Sequence, residues 1–262
     1  MDIARQVTKY EDKGFSRERA EINVLMENAA FIIFRDFPDA FLLFGGATLV
    51  LYHDSVRHSA DLDLLPMSSE WPSPAELISS LERDLQPVAQ MMQLGDLFFE
   101  SENSYAREGR IFVTIGAGQR LFRVDLTRLG SAIASEIETH PLGVGSGNPA
   151  VIKSATKDLL LLQKAEAFLL RRNVKARDAY DIHFLKQLGA ELDATLRAHL
   201  QDALLANEID SDAIADRIAR VGQKLCALEL KTILPLDAYS PLEGVGFEPL
   251  RDALKDLFEE WL

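Results

Sequence analysis

Ala60-Asp61-Leu62-Asp63-Leu64-Leu65 alternates polar and apolar side chains, the pattern of a strand with one covered face. Alternate strand residues share a face, so Asp61 and Asp63 project together while Leu62 and Leu64 point into a core. Two adjacent carboxylates repel each other unless a positive charge sits between them. Magnesium, a hard cation that prefers oxygen ligands, is the usual solution. The alternative is a solvent-facing strand edge with two surface aspartates.

The flanks favour the first reading. Upstream, Phe44-Gly45-Gly46-Ala47-Thr48 ends a short apolar strand (Phe41 to Phe44) and starts a helical stretch, Ala47 to Tyr52. Glycine lets backbone N–H groups approach a ligand closely, and a helix N-terminus favours phosphate. An ordinary tight turn is the competing explanation for Gly45 and Gly46. Between the two segments, Arg57 and Ser59 can bind phosphate oxygens or lie in a solvated loop. Downstream, Phe122-Arg123-Val124-Asp125-Leu126 offers a third carboxylate, Asp125, on a strand able to neighbour the first two. Three carboxylates can hold the metals of a phosphoryl-transfer centre. Otherwise Asp125 pairs with Arg123 or Arg128 at the surface.

Working outward, Ser16 to Arg35 has helical apolar spacing, and Ser73-Pro74-Ala75-Glu76 opens a helix reaching about Leu85 with a capping serine, proline at the first position and glutamate at the third. Leu97 to Glu100, Arg110 to Ile115 and Leu121 to Thr127 read as strands, the last two joined by a Gly116-Ala117-Gly118-Gln119 hairpin turn. The glycine-rich Gly143 to Pro149 marks a boundary. Beyond it Thr156 to Arg172, Arg177 to Leu188, Leu192 to Leu205, Ser211 to Leu230 and Pro249 to Leu262 all read as helices. The expected organisation is α/β (α+β), with a mixed-sheet domain over 1–150 and a helical domain over 151–262.

Composition excludes several classes. With 47% hydrophobic and 26% charged residues, the 262-residue chain is not disordered. A net charge of −13 argues against a surface that is basic throughout, so any nucleic-acid contact must be a local patch. The one cysteine, Cys226, rules out an internal disulfide and reads as a buried structural thiol in an apolar run. With neither a signal-peptide core nor an apolar run long enough to span a bilayer, a cytoplasmic protein without membrane contact is expected.

The helical half adds a second polar group. Lys164 projects from a largely apolar face near Leu160 and Phe168, so it either snorkels to solvent or reaches toward phosphates. Asp178 and Asp181 are three apart and share a helix face, while Arg177 can pair with Asp181 one turn on. Arg171, Arg172, Lys175 and Arg177 form the densest basic run, either a solvated helix end or a contact for an RNA backbone.

Together these stretches resemble a known family. Phe44-Gly45-Gly46-Ala47-Thr48-Leu49 followed by Arg57-His58-Ser59-Ala60-Asp61-Leu62-Asp63-Leu64 is similar to the glycine pair and Arg-x-Ser-x-Asp-Leu-Asp signature of the AbiEii/AbiGii nucleotidyltransferase toxins. Lys164-Ala165-Glu166-Ala167 and Lys175-Ala176-Arg177-Asp178-Ala179-Tyr180-Asp181-Ile182 resemble that family's second and third motifs, and order and spacing agree from about Phe41 to Leu185. The resemblance implies a DNA polymerase β-like nucleotidyltransferase core followed by a helical C-terminal domain. It implies a catalytic set of Asp61, Asp63, Lys164 and Asp178, with Gly45, Gly46, Arg57, Ser59, Lys164 and Asp181 at the nucleotide. Asp61, Asp63 and Asp125 become the expected ligands of Mg2+ or Mn2+. The implied reaction moves a nucleoside monophosphate from an NTP to an acceptor, above all a tRNA 3′ end, in a toxin–antitoxin or phage-defence system with a cognate antitoxin protein. The superfamily's Gly-Ser is Gly-Gly here, so Ser59 or Thr48 takes over the serine's phosphate contact. Two other readings share these residues: a small-molecule nucleotidyltransferase of the aminoglycoside-modifying kind, and a nucleotide- or partner-binding protein without turnover.

Overall fold

The computed structural model describes residues 2–68, 70–104, 108–116, 118–127, 136–143 and 149–262. Arg128 lies outside them, as do Ala117 of the expected hairpin turn and most of the glycine-rich boundary segment. The described chain forms two compact units, Met1–Ala155 and Thr156–Leu262.

The first unit is built on a seven-stranded mixed sheet of order β3-β4-β5-β2-β1-β7-β6. Its strands are β1 Phe41–Phe44, β2 Asp61–Pro66, β3 Leu97–Ser104, β4 Glu108–Ile115, β5 Gln119–Leu126, β6 Ile137–Leu142 and β7 Ala150–Ala155. β2 runs parallel to β5 and β1 parallel to β7, and the remaining pairs are antiparallel. The helices are α1 Ile3–Glu11, α2 Arg17–Asp36, α3 Gly45–Tyr52 and α4 Pro74–Met91. The Ser73 box is present: the Glu76 amide donates to Ser73 Oγ at 3.3 Å, and the Ser73 amide donates to Glu76 Oε2 at 2.8 Å. Such a cap stabilises a helix by about 1 kcal/mol. α4 continues past Leu85 and tolerates Pro87 within it.

Side-chain alternation separates core from site. Leu62, Leu64, Ile111, Val113, Phe122 and Val124 lie in one apolar cluster with α2 and α4 residues such as Met26, Ile33, Leu81 and Leu85. Leu62 and Leu64 are fully buried, each stabilising the fold by about 1.5–3 kcal/mol. The strand residues between them therefore face the other side of the sheet. α1, β6 and β7 were not foreseen; α1 comes from a segment whose polar residues masked the buried Ile3, Val7 and Tyr10.

The second unit is helical: α5 Lys157–Leu170, α6 Ala176–Gln187, α7 Ala194–Ala206, α8 Ser211–Arg220, α9 Gln223–Leu230, α10 Leu236–Gly244 and α11 Glu248–Leu257, then a 3-10 turn Glu259–Trp261. The expected single helix from Ser211 to Leu230 is broken at Val221-Gly222, where Gly222 adopts extended backbone and starts α9. The last helix is likewise shorter than expected. Cys226 is buried with a free thiol. Among the described residues no helix is long and apolar enough to cross a membrane.

Candidate active site

Strand pairing assembles the acidic face. β2 and β5 lie in parallel register with Asp63 opposite Asp125 and Asp61 opposite Arg123. On the next strand Arg110 stands opposite Asp125. Across β1, Phe44 is opposite Asp63, so the row ends at the start of α3.

At that start Gly45 has φ +76, in the left-handed region, and a Cβ there would lie 2.0 Å from Asp63 Oδ2. A Cβ on Gly46 would lie 2.3 Å from Arg57 Nη2 and 2.7 Å from Ser59 Oγ. The glycine pair is thus more than a turn: it makes room for an aspartate, an arginine and a serine against the N-terminus of α3. The residue before this helix, Phe44, makes no side-chain capping bond. Arg57 and Ser59 are buried rather than in a solvated loop, and the Arg57 guanidinium donates from Nη1 to the His58 carbonyl at 2.9 Å. Thr48 is buried too, and its hydroxyl has no hydrogen-bond partner among the described residues.

Gly45→Ala imposes about 1–2 kcal/mol of left-handed strain and pushes on the Asp63 carboxylate. Activity at this site is expected to fall at least tenfold. Gly95→Ala, at φ +90 with nothing within 4 Å of the new Cβ, supplies the control for strain alone.

Arg123 organises the carboxylates. Its Nη2 donates to Asp61 Oδ2 at 3.0 Å and its Nε to Asp125 Oδ2 at 2.8 Å. Arg110 Nε lies 3.5 Å from Asp125 Oδ1, which is buried and has no hydrogen-bond partner among the described residues. Burial raises the Asp125 carboxyl above its ordinary range; Arg123 opposes this, and Asp61 adds to it. Among the described residues no three His, Cys, Asp or Glu side chains are gathered closely enough to hold a metal ion, and Arg123 stands between Asp61 and Asp125. The donor types nonetheless suit a hard divalent cation: three carboxylates share one face, and two guanidiniums, Arg123 and Arg110, now pair with them.

His58, between Arg57 and Ser59, is held neutral. Burial first, then Arg19 and Arg57, lower it from 6.5 to about 4. The unfolded chain takes up this proton below about pH 6.5, and the native protein does so only near 4. The contribution is therefore complete above 6.5 and is lost as pH falls toward 4, about 3 kcal/mol in all. Urea unfolding at pH 7 and pH 4.5 should show a smaller drop for His58→Gln than for the parent; equal drops refute the assignment.

In the second unit, Lys164 neither snorkels nor stands alone. Its Nζ lies 2.9 Å from Asp181 Oδ2, and both side chains are buried. Arg171 Nη1 donates to Asp178 Oδ2 at 2.8 Å, while Asp178 Oδ1 is buried with no hydrogen-bond partner among the described residues. Burial raises the Asp178 carboxyl, against the pull of Lys164 and Arg171. Two residues that sequence reasoning missed clamp this corner. Arg217 donates to the Phe168 carbonyl at 3.0 Å and the Arg171 carbonyl at 2.9 Å, closing the end of α5. Glu229 accepts from the Ala176 amide at 2.8 Å and from Lys175 Nζ at 3.1 Å, capping α6 from another helix. Nothing local in the sequence marks either. Within the basic run, Arg171 and Lys175 are thus engaged internally.

The family described as "Nucleotidyl transferase AbiEii toxin, Type IV TA system" matches residues 29–256. The chain belongs to the AbiEii nucleotidyltransferase toxin family. This AbiEii chain is similar in fold to a candidate nucleotidyltransferase from H. pylori, at TM-score 0.58 and 18% identity over 94% of this chain and 97% of that one. It is also similar to JHP933 from Helicobacter pylori, at TM-score 0.53 and 16% identity over 94% of each chain. MenT4, a nucleotidyltransferase toxin of Mycobacterium tuberculosis, aligns at TM-score 0.46 and 15% identity over 74% of this chain and 65% of that one. No curated protein matches the AbiEii chain by sequence. The expected nucleotidyltransferase fold and enzyme class are those of the family.

Proposed function

We propose that this AbiEii nucleotidyltransferase moves a nucleoside monophosphate from an NTP to a tRNA 3′ end, in the cytoplasm, as the toxin of a pair with a cognate antitoxin protein or a phage-defence system. The observation that carries the reading is the pairing of Asp63 with Asp125, beside Asp61, on the face where Gly45 and Gly46 bring Arg57 and Ser59 against the start of α3. Gly45, Gly46, Arg57 and Ser59 bind the triphosphate. Asp61, Asp63 and Asp125 are the ligands of a magnesium or manganese ion, whose chemistry is to neutralise phosphate charge and acidify the attacking hydroxyl. The acceptor oxygen forms a bond to the α-phosphorus as the bond to the β-phosphate oxygen breaks, and pyrophosphate departs. The hydroxyl proton goes to a carboxylate of this face. In the second unit, Lys164 and Asp178 are assigned to catalysis, and Lys164 and Asp181 to nucleotide binding.

A small-molecule acceptor is the competing reading, favoured by the net charge of −13 and by the internal pairing of Arg171 and Lys175. The test is incubation with magnesium, each labelled NTP in turn and total tRNA. Label in RNA with the parent and none with Asp63→Asn supports the proposal. Pyrophosphate released without RNA labelling, in the presence of aminoglycosides, moves the answer to small-molecule modification. No turnover under any of these conditions leaves a nucleotide- or partner-binding protein.

A further inference from the structure

Arg123 makes its two bonds with Asp61 Oδ2 and Asp125 Oδ2, on two of the three carboxylates assigned above to a divalent cation. The three side chains are only partly exposed, at 31%, 26% and 12%, so their attraction is less screened than at an open surface. The fork geometry of a guanidinium suits this bridge, which ties strand β2 to strand β5. Arg123 and a metal ion therefore compete for one set of ligands, and like charge keeps them apart.

We propose that Arg123 is a latch on the metal site. It holds Asp61 and Asp125 while nucleotide is absent and is drawn off by the negative charge of an incoming triphosphate, so that metal binds with nucleotide rather than before it. The inference rests on the assignment of Asp61, Asp63 and Asp125 as metal ligands. Once released, Arg123 stays on the same face and can pair with phosphate oxygens.

The test is calorimetric titration of the full chain with Mn2+ alone and with Mn2+ plus inorganic tripolyphosphate, which carries the charge of any NTP without a base. The parent should bind Mn2+ weakly alone and at least tenfold more tightly with tripolyphosphate. Arg123→Gln should bind Mn2+ alone about tenfold more tightly than the parent, with a smaller further gain from tripolyphosphate. Equal or weaker binding of Mn2+ alone by Arg123→Gln overturns the latch. If that variant does not fold, Arg123→Lys reads the same titration, because an ammonium cannot span both carboxylates: tighter binding than the parent supports the latch, and unchanged binding overturns it. Adding Asp63→Asn to Arg123→Gln separates the two levels. Loss of Mn2+ binding in the double variant supports the ligand assignment whatever the latch result, whereas retained binding overturns the assignment and the latch with it.

Discussion

Asp63→Asn is expected to lower nucleotide transfer by at least about a thousandfold, equivalent to roughly 4 kcal/mol of transition-state stabilisation, while the protein stays folded. Asp63 lies opposite Asp125, next to Asp61 along its strand, and against the backbone of Gly45. Asparagine keeps the shape and removes the charge, so packing survives while one of the three proposed anionic ligands is lost. Thermal unfolding should therefore occur close to the parent temperature. Pyrophosphate release and thermal unfolding, measured on one preparation, check both halves. Activity within tenfold of the parent in a folded Asp63→Asn protein would remove the site from this face of the sheet.

Lys164→Met is expected to destabilise the chain by about 3–5 kcal/mol, the usual cost of removing one partner of a buried ion pair. Lys164 and Asp181 lie 2.9 Å apart with side-chain exposures of 10% and 1%. Methionine fills much of the lysine's volume, so the loss is mainly electrostatic. Lys164→Met combined with Asp181→Leu should recover most of the stability, because an apolar pair of similar size needs no charge compensation. Urea unfolding of the single and double variants measures this. A single variant within about 1 kcal/mol of the parent would show that the pair contributes little to stability. The comparison matters for catalysis too, since lost transfer in Lys164→Met has functional meaning only where the fold is shown to be retained.

Much of the site was legible in the chain because it is local. Asp61 and Asp63 share a face through strand alternation alone, and Gly45-Gly46 followed by a helical stretch is a short-range signal. The Ser73 to Glu76 cap is equally local and is present as expected. Less legible were the partners. Arg57 read equally well as a solvated loop residue until its guanidinium was found packed against Gly46. Arg177 was a fair partner for Asp181 by helical spacing, and only helix packing adds Lys164 from α5. The break at Val221-Gly222 was hidden by apolar residues that keep helical spacing on both sides.

By itself, then, the sequence determined the nature of the candidate groups, their strand and the glycine pair beside them, since these depend on backbone period and residue type within a few positions. Tertiary structure alone decided that Asp125 stands opposite Asp63, that Arg123, 62 residues from Asp61, bridges two carboxylates, and that Arg217 and Glu229 close the corner between α5 and α6. Each of those depends on strand register or helix packing between distant segments. A shift of one residue in the β2/β5 register would turn Asp125 to the opposite face, and no local pattern encodes that choice.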